Sequence, residues 1–234
     1  MADTFHRTWR LFAPILAGGT LRDRLIACAG AVIGIALTGI VGWLTLGASA
    51  GPWLVAPVGA SAVLLFAVPA SPLAQPWSII GGNTVSALIG VAIAQAVASP
   101  VMAAGLAVGL AILAMSLLRC LHPPGGAAAL TAVIGGKAVI GLGFVFPFLP
   151  VGLNSLLLVL TGLAFHRLSG HSYPHRPVPV TGHAPEILPV LDILPEDIDL
   201  ALADLGETFD ISRSDLETLF QRVEAHAAHR RSVS

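Results

Sequence analysis

The sequence predicts an all-α, polytopic membrane protein. It has four long transmembrane helices and two short broken ones in two pseudo-repeats, then a small cytoplasmic helical tail. Three observations carry this. Hydrophobic residues make up 55% of the 234-residue chain and charged residues 11%, with a mean hydropathy of +0.84; that balance belongs to integral membrane proteins. Charge is segregated: no Asp, Glu, Lys, Arg or His occurs from Leu25 to Leu118, and no carboxylate lies between Asp23 and Glu186. Long apolar runs alternate with shorter ones that open on proline and glycine. Under such segregation the net charge of -1 says nothing about partners; those expected are the lipid bilayer and a small solute, with no nucleic acid.

The chain divides into a cytoplasmic N-terminal segment (1–24), a transmembrane domain (25–167), a His/Pro-rich linker (168–186) and a short cytoplasmic tail (187–234). Arg7, Arg10, Arg22 and Arg24 precede the first apolar run. That run, Leu25 to Ala48, is too long for a usual signal peptide and follows a long polar lead. It reads as an uncleaved first helix with its arginine side in the cytoplasm. A short interfacial helix is expected at Thr8 to Leu16. Gly51-Pro52-Trp53 ends the first span. Pro57 and Gly59 open a short apolar helix that stops near Pro69. Pro72 and Pro76 bound the next loop, and Trp77 fits an interfacial anchor. Ile79 to Ala98 is a full helix containing Asn83 and Gln95, Ser99-Pro100 is a tight turn, and Val101 to Leu118 is another full helix. Ala138 to Phe165 is the last span, interrupted by Pro147 and Pro150 and carrying Asn154.

Between the last two spans lies Arg119-Cys120-Leu121-His122-Pro123-Pro124-Gly125-Gly126. Two prolines disfavour helix just before them, and the glycines allow a turn or a close approach. The stretch reads as an extended segment feeding the N-terminus of a short helix. Such a terminus offers unpaired N–H groups and partial positive charge, which suits an anion. His122 is the one side chain of the interior that titrates near neutrality.

An internal repeat emerges from this order. Pro57-Val58-Gly59-Ala60-Ser61-Ala62 lines up with Pro124-Gly125-Gly126-Ala127-Ala128-Ala129, and Asn83 and Asn154 follow the two copies at similar distances. Paired segments broken by Gly and Pro point to a substrate site in transporters. Extended residues from Arg119 to Pro124 would reach roughly 18–20 Å, and the helix from Gly125 to Gly136 would add roughly 18 Å. Together they exceed a hydrocarbon core of roughly 30 Å. Six crossings place Arg22, Arg24, Arg119 and Arg167 in the cytoplasm and Lys137 outside, whereas four crossings with re-entrant elements put Arg119 outside. The positive-inside rule favours six. Both arrangements keep the two termini cytoplasmic.

His166, His171, His175 and His183 lie in or beside the linker at irregular spacing, and no metal site is expected from them. Cys28 and Cys120 read as small packing residues. In the tail, helices are expected near Ile198 to Leu205, after the acidic Pro195-Glu196-Asp197, and from Arg213 to His229, with Ser212 as N-cap. So small a module has little core of its own.

The residues Leu121-His122-Pro123-Pro124-Gly125-Gly126-Ala127-Ala128-Ala129-Leu130, together with Pro57 to Ala62, resemble the HPP family of integral membrane proteins. The resemblance covers roughly Arg22 to Arg167. It implies four transmembrane helices, which four long and two short helices reconcile with the six segments above. It also implies transport, since plastid and cyanobacterial members are associated with nitrite. Some members carry C-terminal CBS domains; the tail is similar to the segment before them, and with none following, nucleotide sensing of that kind is not implied.

The interior's polar equipment is lopsided toward donors and positive potential: His122, Arg119, Lys137, Asn83, Asn154, Gln95, hydroxyls and two helix N-termini. Proton- and sodium-coupled carriers usually keep an intramembrane carboxylate, and this domain has none. A small monovalent anion suits the inventory. The substrate-binding residues are accordingly His122, Pro123, Pro124, Gly125, Gly126, Pro57, Gly59, Ser61, Asn83, Asn154 and Arg119. The expected function is a channel or facilitative carrier for such an anion, nitrite by the resemblance, in the inner (plasma) membrane. The alternative is a membrane scaffold or sensor signalling through its tail. An enzyme is not expected without paired carboxylates, a metal cluster or an activated nucleophile, nor is a cofactor. Gly/Ala-rich helices suit close packing, so a homo-oligomer is expected.

Overall fold

The computed structural model describes residues 20–47, 53–170, 172–175, 195–205, 211, 215–221 and 223. The expected helix at Thr8 to Leu16, the Gly51-Pro52 turn, His171, the linker beyond His175 and the Ser212 cap lie outside them. Two compact units are present, one of them Leu21–Arg176. The described residues contain no strand.

The membrane unit begins with α1 (Leu21–Leu46) and α2 (Pro57–Ala67), followed by a 3-10 turn at Pro72–Ala74. Next come α3 (Pro76–Ala96), α4 (Pro100–Leu117), α5 (Pro123–Ile134) and α6 (Gly136–Leu142). An irregular π-type turn at Pro147–Gly152 leads into α7 (Leu153–Ser169). Proline stands in the first turn of α2, α3, α4 and α5, where its missing N–H costs nothing and its fixed φ starts the helix. α1 stops at left-handed Gly47 and α7 at left-handed Gly170, the usual glycine termination. Four segments are long and apolar enough to cross a membrane: Leu21–Thr45, Pro76–Ala96, Pro100–Leu117 and Pro147–Ser169. The last span therefore starts later than expected. Residues from Ala138 to Val145 belong instead to the second arm of a broken pair, Pro123–Ile134 and Gly136–Val145, bent by 96°. Gly136 supplies the positive φ at that corner.

Helix directions alternate through six segments. Side chains added at Gly30, Gly34 and Gly42 of α1 would meet Phe165, Leu158 and Asn154 of α7 in that order. The two helices are therefore antiparallel, with Leu21 and Ser169 at one end of the bundle. α2 runs beside α7 in the same direction: Asn154 binds the backbone just before it, and His166 binds Leu65 O near its finish. Tyr173, just past α7, donates to Ala74 O and so places the start of α3 at the α7 exit. Trp77 donates to Leu118 O, which brings the end of α4 to the same level. α5 climbs alongside α3, with Gly82 against His122 and Gly90 against Ala129 and Ala132. Arg22, Arg24, Arg119 and Arg167 thus share one end, and Lys137 stands at the other.

The extended reach from Arg119 to Pro124 does not exist. α4 closes with Arg119 in the left-handed region (φ 54) and Cys120 N–H bonded to Met115 O. Helix resumes at Pro123. The chain turns at once and sends α5 back along α4.

The two halves interlock. α5 of the second half packs on α3 of the first, while α2 of the first packs on α7 of the second. The buried apolar core gathers Val58, Leu65, Phe66, Ile79, Phe146 and Leu158. A second cluster joins Ala103, Ala107 and Ala111 of α4 to Ala129 and Val133 of α5. In the tail unit, α8 (Pro195–Leu205) buries Ile198 and Leu202 against Leu216 of the helical residues 215–221.

Candidate functional site

His122 is the N-cap residue of α5, held extended at φ -145° and ψ 108° by the proline that follows. It is fully buried. Its Nδ1 lies 2.8 Å from Leu73 O and its Nε2 2.8 Å from Ser61 Oγ. A carbonyl only accepts, so Nδ1 carries the proton. In the neutral ring Nε2 is then an acceptor, and the Ser61 hydroxyl donates to it. Ser61 therefore accepts from Asn83, whose Nδ2 lies 3.0 Å away and also donates to Ser155 Oγ at 3.1 Å. One directional chain of hydrogen bonds links the 3-10 turn, α5, α2, α3 and α7. Ser61, Asn83, His122 and Ser155 are all fully buried.

The chain of bonds is not saturated. Asn83 Oδ1 and Ser86 Oγ are buried and have no partner. Both stand on one face of α3, three residues apart. α5 comes up against that face through its missing side chains. A Cβ at Gly125 would fall 2.7 Å from Ser86 Oγ and 2.8 Å from Met115 Sδ. One at Gly90 would fall 2.5 Å from Ala129 O. Gly125 is thus required by close approach, as expected. Gly59 has nothing within 4 Å of such a Cβ, and Gly126 only Val108 at 3.8 Å. Neither is held by packing or by positive φ, so that expectation is corrected.

The helix N-termini also depart from expectation. Pro123 and Pro124 carry no N–H, and that of Gly125 is bonded to His122 O at 2.8 Å. At α2, Pro57 has none, while Val58 and Gly59 donate to Val55 O and Ala56 O. Proline at the first turn removes the donors that an anion would need, so these ends contribute dipole only.

Asn154 is spent on structure. Its Oδ1 accepts from Val55 N–H at 3.1 Å and its Nδ2 donates to Trp53 O at 3.0 Å. It pins the segment leading into α2 and does not join the Ser61–Asn83 bonds. Arg119 and Lys137 are exposed at opposite ends, and Pro123 is exposed beside His122. Gln95 lines a recess of about 150 Å³ at the Lys137 end, with Val91, Ala103, Ala132 and Gly143. Ser86 and Ser155 were not anticipated. Their signals were spacing, three residues after Asn83 and next to Asn154. Among the described residues no three His, Cys, Asp or Glu side chains come together.

The family described as HPP, transmembrane region, matches residues 17–174. Two transmembrane proteins of Dictyostelium discoideum are similar. One is 41% identical over 126 residues, covering 52% of this chain and 44% of the relative. The other is 38% identical over 115 residues, covering 47% and 37%. The chain thus matches less than half the length of these curated relatives. No solved structure matches it.

Proposed function

We propose a transport function for this chain, which belongs to the HPP transmembrane family: passage of a small monovalent anion, nitrite or one of similar size, as a channel or facilitative carrier without chemical conversion. The observation that carries the reading is the neutral polar seam of Ser61, Asn83, His122 and Ser155 at the meeting of the two short helices. Polar groups inside a membrane domain are costly and mark pathways. Hydroxyls and an amide can stand in for part of a small ion's hydration shell. A seam without carboxylates places no full negative charge in the path of an anion. Pro57, Pro123, Pro124 and Gly125 shape the seam, and Asn154 holds one of its helices.

The arginine-rich end is assigned to the cytoplasm by the positive-inside rule. Arg119 then stands at the cytoplasmic mouth, where it attracts anions. The host membrane is the inner (plasma) membrane, and the Gly/Ala-rich helices pack between copies in a homo-oligomer. Purified protein in liposomes, tested with nitrite, nitrate, formate and chloride, decides the reading. Protein-dependent flux of at least one anion, above that of protein-free vesicles, is expected. Equal flux in both for all four refutes it.

A further inference from the structure

We infer that Asn83 and Ser86 form a binding site for a small neutral molecule that donates one hydrogen bond and accepts one. Two fully buried polar atoms, Asn83 Oδ1 and Ser86 Oγ, have no protein partner, and buried polar groups are rarely left so. The orientation of the Asn83 amide is fixed by its neighbours. Leu73 O takes the His122 Nδ1 proton, His122 Nε2 takes the Ser61 proton, and Ser61 therefore receives from Asn83 Nδ2. Oδ1 is left as the free atom, and it requires a donor. Ser86 Oγ gives a proton and accepts one. Glycine at position 125 keeps a side chain off Ser86 Oγ, which a Cβ there would meet at 2.7 Å.

A bare anion has no hydrogen for Oδ1 and would face a carbonyl lone pair. Water satisfies both atoms. So does the neutral acid of a small oxyanion, its O–H toward Asn83 and its second oxygen toward Ser86. The site itself stands on this geometry. Its bearing on transport rests on the function proposed above: at this point the solute passes with its proton, not as the naked ion.

The test is the structure of the full chain in lipid, at a resolution that shows single waters, in three conditions: buffer alone, nitrate, and formate at acid pH. A water-sized density touching both atoms is expected in buffer and with nitrate, and a flat formic-acid density in the third. Water in all three assigns the site to water. An empty space, a seated nitrate ion, or an Asn83 amide turned so that Oδ1 meets Ser61 and Ser155 overturns the inference. Formate flux in Ser86→Ala provides the link to transport and should fall well below wild type. Wild-type flux with no change in Ser86→Ala leaves transport standing and removes this site from it. Absent wild-type flux removes transport and leaves the site to the density.

Discussion

His122 is a tie between elements before it is anything else. With both nitrogens bonded, a neutral imidazole completes the local hydrogen bonding. His122→Ala strands Leu73 O, at about 1–3 kcal/mol for a buried group left unpaired, while the Ser61 hydroxyl keeps Pro57 O as an acceptor. Thermal unfolding in detergent should show the loss. A protonated ring would turn the Ser61 hydroxyl toward Pro57 O, 3.2 Å away, so the contact has two complete arrangements. If flux follows that exchange, its pH profile flattens in His122→Gln, which cannot titrate. Flux through protein-free vesicles is subtracted in that comparison, because the neutral acid of a weak anion crosses bilayers unaided. The glycines separate cleanly. Gly125→Ala overpacks against Ser86 and Met115 and should cost about 1–3 kcal/mol, whereas Gly126→Ala and Gly59→Ala should unfold at the wild-type temperature. The motif showed that glycines matter here but could not say which. Packing against α3 decides it, and that neighbour is remote in sequence.

At the scale of elements, α2 is the least self-sufficient helix. It has 11 residues, too few for stability alone. Two bonds from Asn154 fix its approach, and one from His166 fixes its finish. Asn154→Ala leaves Val55 N–H and Trp53 O without that partner. A loss of about 2 kcal/mol in unfolding free energy is expected, with α2 the first helix to exchange its amides. Long helices were legible because an apolar run of 18 or more residues admits few other readings. Starts of the short helices were legible from proline. The left-handed turn at Arg119 was not, because arginine has no preference for that conformation; Met115 O imposes it from the preceding helix. The corner at Gly135–Gly136 was also hidden, since apolar residues continue on both sides and composition does not register direction.

The membrane unit, Leu21–Arg176, is two interlocked halves, each made of a long helix, a short returning helix and a second long one. Alternating directions leave Arg119 at the end shared with Arg22 and Arg167, opposite Lys137. Labelling with a membrane-impermeant thiol reagent, in a Cys28→Ser background, should mark Arg119→Cys and Lys137→Cys from opposite sides of the membrane. Labelling of both from one side would mean that α5 does not complete a crossing. The repeat was readable as spacing between Pro57 and Pro124 and between Asn83 and Asn154. The exchange of partners between halves was not, because it separates the two asparagines into different tasks: Asn83 joins the polar seam and Asn154 clamps backbone. That division allows a direct test of the seam as the passage. Nitrite flux should be measured in liposomes for wild type and Asn83→Leu, each first shown to be folded by its unfolding transition. The account predicts a folded Asn83→Leu protein with flux at the level of protein-free vesicles; a folded variant that carries nitrite as fast as wild type would contradict it.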